Sequence, residues 1–413
     1  MSKQGLTLTL LALAFTSTNG ICLGAETDDG FPSIDFHGLV DTRLVSADAE
    51  RNWLDGDFGK TRYGEGDTST QPRLAEASLI ALPRFNWSTS GYLHLKADPD
   101  QVHALDIVEG YLAYQPVSTQ SYRFRAKLGA FYPPISLENT GIGWTSPYTL
   151  SYSAINSWVG EELRGLGAEA SIVHNGELHD VSVVAALTAA NDRAGTLLYR
   201  RGWALHDFKP GLNDTYPLPP RPSAPNAEPE CETPFLEIDE RAGYYAGANW
   251  RYDERYSVHA LYFDNHADPE SRESGEASWL TRFSSLGTQL ELNDGITVLA
   301  QYMVGDTLID VGTRDIVLDY QAAYVLASKA LGKHRFTLRG DRFDTTHRGA
   351  SYGSDLSENG WAATLAYSYA VAEKQRLFLE LLDIDSSRES REAIGQDEDV
   401  RDHQFQVGYR LFF

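Results

Sequence analysis

The C-terminal stretch, residues 402–413, carries Phe405, Val407, Tyr409, Leu411 and Phe413 at every second position. Asp402, Gln404, Gln406, Gly408 and Arg410 stand between them, with Phe412 the one apolar intruder. A period of two is the mark of a strand with one apolar and one wet face. Such a strand cannot stand alone, because its unpaired edges and apolar face both need partners. The rest of the chain must therefore supply more of the same.

It does. Ile34, Phe36, Gly38, Val40, Thr42 and Leu44 alternate with Asp35, His37, Asp41 and Arg43. Comparable segments recur to the C-terminus, among them 161–173 and 179–190, 279–291 and 295–304, and 360–371 and 375–385. Asn293, Asp294 and Gly295 supply a strong hairpin signal between one such pair. About ten residues is the length a tilted membrane strand needs. We count about sixteen strands, an even number, with long and short joints in strict alternation, which predicts an all-β transmembrane antiparallel barrel. Long joints then form external loops and short ones periplasmic turns. Outward faces are predicted for Tyr244, Ala246, Ala248, Trp250 and Tyr252; for Ile316, Leu318, Tyr320, Ala322, Tyr324 and Leu326; and for Trp361, Ala363, Leu365, Tyr367 and Tyr369.

Mean hydropathy is −0.35, and no apolar run approaches the roughly 20 residues of a membrane helix. The apolar run 6–15 follows Lys3 and precedes Gly24 and Ala25, the layout of a cleaved secretory signal over residues 1–25. Residues 26–413 are then the barrel; its terminal alternating strand, closing on Phe413, resembles that of outer-membrane β-barrels of Gram-negative bacteria, which implies export to that membrane. Cys231 is the only cysteine outside that signal, which excludes a disulfide framework and cysteine metal sites. A formal charge of −23 excludes non-specific nucleic-acid binding. No metal or cofactor is expected. Lipid and lipopolysaccharide are the expected surroundings, and acidic loops bridged to lipopolysaccharide by divalent cations are one reading of the charge.

A barrel of this size encloses an aqueous lumen. If Tyr122, Phe124, Ala126 and Leu128 face lipid, then Arg123, Arg125 and Lys127 form an inward column with side chains about 6.5–7 Å apart. Arg43, Arg251, Arg335, Arg339 and Arg410 extend it. Such a column lowers the barrier to anion entry, or else its members pair with Asp41, Glu109, Asp319, Asp341 and Glu380 across strands. The joint after the fifth strand, residues 131–160, is the candidate constriction loop; it holds Tyr132, Trp144, Tyr148 and Trp158, and Glu138 is its sole formal charge. Those aromatics either guide solutes or pack the loop on the wall. Glu161, Glu162 and Arg164 at its exit are candidates to pair with the basic column and hold the loop in place. The longest interruption, 191–240, is proline-rich and reads as an external loop.

The stretch Phe131, Tyr132, Pro133, Pro134, Leu137, Glu138 resembles the aromatic-Pro-Pro-x-x-Leu-Glu segment of the phosphate-selective porin family. The resemblance implies a barrel with an infolded third loop, passive passage of small hydrophilic solutes or phosphate-like anions, and, as in general porins, a homotrimer. That family carries selectivity on lumen and loop arginines, whereas 131–160 has no Lys or Arg. Two other classes compete. A docking scaffold or adhesin would act through 191–240. An outer-membrane hydrolase needs a Ser/His/Asp constellation, and the eleven histidines are scattered with no Gly-x-Ser-x-Gly or His-Glu-x-x-His motif, so no enzyme is expected.

Overall fold

The computed structural model describes residues 30–413 apart from 221–229, 274, 311, 313–314 and 350–354. The expected signal segment 1–25 lies outside the described residues. Sixteen strands close into one barrel, each antiparallel to its sequence neighbour. They are β1 (Ser33–Asp48), β2 (Ser69–Arg84), β3 (Thr89–Ala97), β4 (Asp106–Tyr114), β5 (Tyr122–Phe131), β6 (Gly165–Asn175), β7 (His179–Ala189) and β8 (Gly243–Tyr252). The circuit continues through β9 (Tyr256–Asp264), β10 (Leu280–Leu292), β11 (Ile296–Asp310), β12 (Asp315–Leu331), β13 (His334–Gly349), β14 (Glu358–Ala372), β15 (Gln375–Ser387) and β16 (Asp399–Phe412). Strand number and antiparallel order are as the period-2 reading predicts, and joint lengths alternate as predicted except between β11 and β12, where the joint is four residues.

Closure joins β16 to β1, running from Leu39 opposite Phe412 to Asp48 opposite His403. Gly38 and Phe413 exchange two backbone hydrogen bonds of 3.0 and 3.1 Å. A Cβ on Gly38 would sit 2.1 Å from Phe413 Cζ, so only glycine lets the aromatic ring lie over the seam. The barrel sheet itself therefore has no open edge.

Joints 85–88, 115–121, 176–178, 253–255, 293–295, 332–333 and 373–374 gather at one end of the barrel, and the longer ones, with 311–314 as a short exception, at the other. The barrel exterior exposes Leu112, Leu128, Leu187, Val325, Leu338, Leu365 and Leu381 at mid-strand. An apolar band of this extent suits hydrocarbon rather than water.

The interior differs from a plain aqueous lumen. Residues 132–164 carry the helix α1 (Ala154–Glu162), and every residue of α1 is buried. Its N-cap is Ser153, whose side chain accepts from Asn156 N. Ile155, Trp158 and Val159 pack with Phe283, Leu299, Met303, Leu318, Tyr320 and Phe343 of the wall. Burying each of those three helix side chains is worth about 1.5–3 kcal/mol.

That packing overturns one predicted face. Ile316, Leu318, Tyr320, Ala322, Tyr324 and Leu326 of β12 are all buried and point inward, while Gln321 and Val325 are exposed on the outside. The apolar set was read as lipid-facing, yet Leu318, Tyr320, Ala322, Tyr324 and Leu326 join the cluster that beds α1, and Ile316 packs with Trp279 and Ile309. The faces on β8 and β14 point outward as expected, with Tyr244, Trp250, Trp361 and Leu365 exposed.

Candidate functional site

The 132–164 segment crosses the barrel from wall to wall. On one side Gln301 of β11 donates to Ile135 O at 3.0 Å. On the other, Glu380 of β15 accepts from Leu150 N and Ser151 N at 2.5 and 2.9 Å. Arg410 of β16 donates to Ser146 O at 2.8 Å, and Asp341 of β13 accepts from Ala154 N at 3.1 Å. Arg339 is the densest anchor: it donates to Ser151 O at 2.7 Å, Tyr152 O at 2.9 Å, Thr364 Oγ1 at 3.1 Å and Asp341 at 2.8 Å. A loop carbonyl without such a donor would be an unmet buried acceptor.

A second layer lies toward the long-joint end. The 191–240 stretch was expected outside, but residues 193–214 run inside the barrel. Gly195 rests on Thr281 and Thr307, where a Cβ would lie 2.7 and 2.3 Å from their hydroxyl oxygens. The short helix α2 (Thr196–Arg200) follows. Trp203 Nε1 donates to Asp344 O at 3.1 Å, Lys209 pairs with Glu76 at 2.7 Å, and Asp207 pairs with Arg43. Asn213 reaches Asp106 on β4 at 2.9 Å. These contacts tie the segment to β1, β2, β4, β10, β11 and β13. The physical reason is legible afterwards: Trp203, Leu205 and Phe208 are too apolar to remain in water and are fully buried.

The two layers are locked to each other. Arg201 forks onto both oxygens of Glu161 at 2.8 Å, with His206 Nε2 3.1 Å away. Burial alone would raise the Glu161 pKa, but the Arg201 charge overrides it and holds the carboxyl at about 2. Glu162 has no such cation. It accepts from Trp158 Nε1, Gly195 N and Leu197 N at 2.6, 2.9 and 2.9 Å. Burial and the nearby Glu232 carboxylate outweigh those donors and push Glu162 up to about 8.

The predicted basic column divides. Arg43 is buried in pairs with Asp41 and Asp207, and Arg339 is consumed by the loop, so neither lines open space. Lys127 pairs with Glu169 at 3.0 Å and lies over the Tyr111 and Phe131 rings. Arg123 sits at the short-turn rim beside Asn86, Trp87 and Gln115. Arg125 alone of that trio has its side chain in the lumen without a carboxylate partner among the described residues; it lines a cavity of about 380 Å³ with Lys127, Ile135, Ser171, Asn249 and Gln301. Arg335 donates to Ser328 Oγ at 3.0 Å and lies 5.1 Å from the Tyr148 ring.

The loop residues act mainly as packing. Tyr132 stacks on Trp144 at 4.2 Å, Trp144 meets Tyr152 edge-on, and Trp158 lies among Trp203, Phe283 and Tyr320. Glu138 accepts from Ser153 N and Asn156 Nδ2 at 2.7 and 2.9 Å, holding the entry of α1. Arg164 corrects its predicted role: it pairs with no carboxylate among the described residues and donates to the carbonyls of Val108, at 2.8 Å, and Pro210. Its guanidinium lies over Tyr132 and Phe235.

One residue was missed. Arg376, the second residue of β15, is the cross-strand partner of Arg410, and the charges of Arg335 and Arg410 both bear on it. It has no hydrogen-bond or ion-pair partner among the described residues. Its signal was present in the alternation of 375–385, where Arg376 shares the inward phase of Glu380.

No family model and no curated protein matches this chain. Solved structures do. The outer membrane channel DcaP of Acinetobacter baumannii aligns over 95% of this chain and 100% of its own, at 12% identity and a TM-score of 0.56. Outer-membrane expressed OmpT of Vibrio cholerae covers 94% and 99%, at 12% identity and 0.52. OprB of Pseudomonas putida covers 92% and 94%, at 10% identity and 0.51. At such identities the likeness is one of fold: a closed sixteen-strand barrel of the porin type.

Proposed function

We propose that this chain is an outer-membrane channel of a Gram-negative bacterium, through which small hydrophilic solutes diffuse passively, anions in preference to cations. The barrel type and the printed description of DcaP as an outer membrane channel support the first part. One observation carries the second. Deep in the barrel Arg43, Arg62, Lys96, Arg201 and Arg339 each meet a carboxylate. On the short-turn side of the 132–164 segment, Arg125, Arg335 and Arg376 meet none among the described residues.

This surplus outweighs the acidic loops by distance. The short-turn ends of strands such as β13, sixteen residues long, stand tens of ångströms from the long-joint end at about 3.3 Å per residue. Exposed charges are screened within about 10 Å at ordinary salt. A solute in the vestibule therefore feels Arg125, Arg335 and Arg376 against the single near carboxylate Glu291 of β10, and little of the distant acidic loops. The Arg376 guanidinium, unlike that of Arg410, which is held by Asp41 and Ser146 O, suits carboxylate or phosphate oxygens.

The test is reversal potential in a planar bilayer under a KCl gradient, with wild type and the Arg335→Glu, Arg376→Glu double variant. Anion selectivity in wild type, moved toward cations in the variant, is expected. A cation-selective wild type, or a variant with unchanged reversal, would remove the vestibule from the account. A folded barrel with no conductance would sink the channel reading.

A further inference from the structure

The excursion between β7 and β8 leaves the wall at residue 190 and returns at 242, and its two ends meet. Asp192 N donates to Leu236 O at 3.3 Å, and Trp279 N donates to Asp192 O at 2.7 Å. At this neck Asp192 from the outgoing end faces Glu237 and Asp239 from the returning end. One carboxylate oxygen from each lies within 4.8 Å of the others.

Three carboxylates together would mean little, but here the hydrogen bonding is incomplete in a particular way. Asp192 is fully buried; its Oδ2 accepts from Ile238 N and Asp239 N at 2.6 and 3.1 Å, while its Oδ1 is buried with no donor. Glu237 Oε2 accepts from Ala190 N at 2.6 Å, and its Oε1 is likewise buried with no donor. A buried acceptor left unmet costs about 1–3 kcal/mol, and more when charged. The nearest cations along the chain are engaged elsewhere: Arg193 with Glu232 and Glu276 at 2.6 and 3.1 Å, Arg241 with Asp268 at 2.6 Å. No Lys or Arg pairs with the three carboxylates among the described residues.

We propose that Asp192, Glu237 and Asp239 form a divalent-cation site, of calcium's dimensions, that ties shut the neck of the inward-folded segment. Calcium binds oxygen at about 2.3–2.6 Å, so oxygens across its shell stand up to about 4.6–5.2 Å apart. Oxygens within 4.8 Å of one another can share one cation's shell. Magnesium demands near-ideal octahedral geometry and keeps several of its waters, which carboxylates from two converging chain ends suit less well than calcium's flexible shell. Burial, then the Glu237 and Asp239 charges, push Asp192 up to about 6, as expected of carboxylates gathered without a counter-charge. The cation closes a loop of some fifty residues whose first half, from Arg193 to Asp214, occupies the barrel.

The experiment uses the full barrel in detergent, stripped with EDTA and dialysed. Calorimetric titration with CaCl2 is expected to show one saturable site that MgCl2 fills at least tenfold more weakly. The Asp192→Asn, Glu237→Gln variant loses it. Terbium bound there gains emission on excitation of Trp279, whose backbone touches Asp192, and Trp279→Phe reduces it. Calcium also slows proteolytic cleavage of the 190–242 segment in wild type. Should the double variant fail to form a barrel, the terbium and proteolysis comparisons on wild type and Trp279→Phe decide alone. Absence of saturable calcium binding, or binding that survives in a folded double variant, overturns the proposal. None of the three readouts involves conductance, so the site stands or falls apart from the channel.

Discussion

Replacing Arg339 by alanine tests whether the 132–164 segment is held across the lumen as described. Arg339 is fully buried and serves two loop carbonyls, Ser151 O and Tyr152 O, besides Thr364, Asp341 and, at 3.3 Å, Glu138. Its loss strands two carboxylates and two carbonyls in a space that excludes water. Breaking a buried ion pair by removing one partner costs about 3–5 kcal/mol. At about 1.4 kcal/mol per decade, the balance between seated and displaced loop shifts by about two to three and a half decades. The wall strands keep their ladder, since Arg339 contributes only its backbone to it. In single-channel recording the variant is expected to show larger, noisier conductance. The segment also becomes open to protease in an otherwise intact barrel. Adding Asp341→Asn removes one stranded charge and should restore part of the wild-type behaviour, the non-additivity measuring the pair. A folded Arg339→Ala barrel with wild-type conductance and cleavage would refute this account of the loop.

Two further expectations follow from the interior. Glu162 titrates at about 8 in the packed state against 4.5 when free. Its stabilisation of the seated layers is therefore complete below about pH 4.5, declines as pH rises and is lost above about pH 8, by at most about 1.4 kcal/mol per pH unit for one proton; protease sensitivity of the 132–164 segment should rise between pH 6 and 9 in wild type and stay flat in Glu162→Gln. The register of β12 predicts that Val325→Cys reacts with a lipid-dissolved thiol probe while Tyr324→Cys does not, and equal labelling would restore the outward reading of the Tyr320 and Tyr324 face.

The barrel could be read from the sequence because closure is a repetitive demand. Every strand needs a neighbour on both sides, so the same period of two returns at each of the sixteen, and the tight joints announce themselves through residues such as Asn293, Asp294 and Gly295. Which face is outside is a different matter. Period two gives two faces and does not label them. On β8 the apolar face meets lipid; on β12 the apolar face meets α1, and polar Asp319 and Gln321 lie on the other side. The rule that apolar residues face lipid holds only while the lumen is wet. It fails where the lumen holds a helix, and nothing local to residues 316–326 reports that a helix from 154–162 will lie against them.

The partners of the site's charges were hidden for a related reason. Inward arginines were countable in the sequence, but their partners were not, because the partners lie far along the chain: Asp207 for Arg43, Ser151 and Tyr152 for Arg339. A charge column assumes an empty barrel. Once 193–214 enters with Arg201, Asp207 and Lys209, each brings or takes a counter-charge, and the pairs that result are structural. What stays available to a solute is the remainder after this pairing, and it sits where the inserted segments do not reach. Arg376 and Arg335, at the short-turn ends of β15 and β13, belong to that remainder. Under the proposed channel function, selectivity would follow from which arginines the inserted segments leave unpaired, and a segment added or lost at residues 193–214 would change it without altering any residue of the wall.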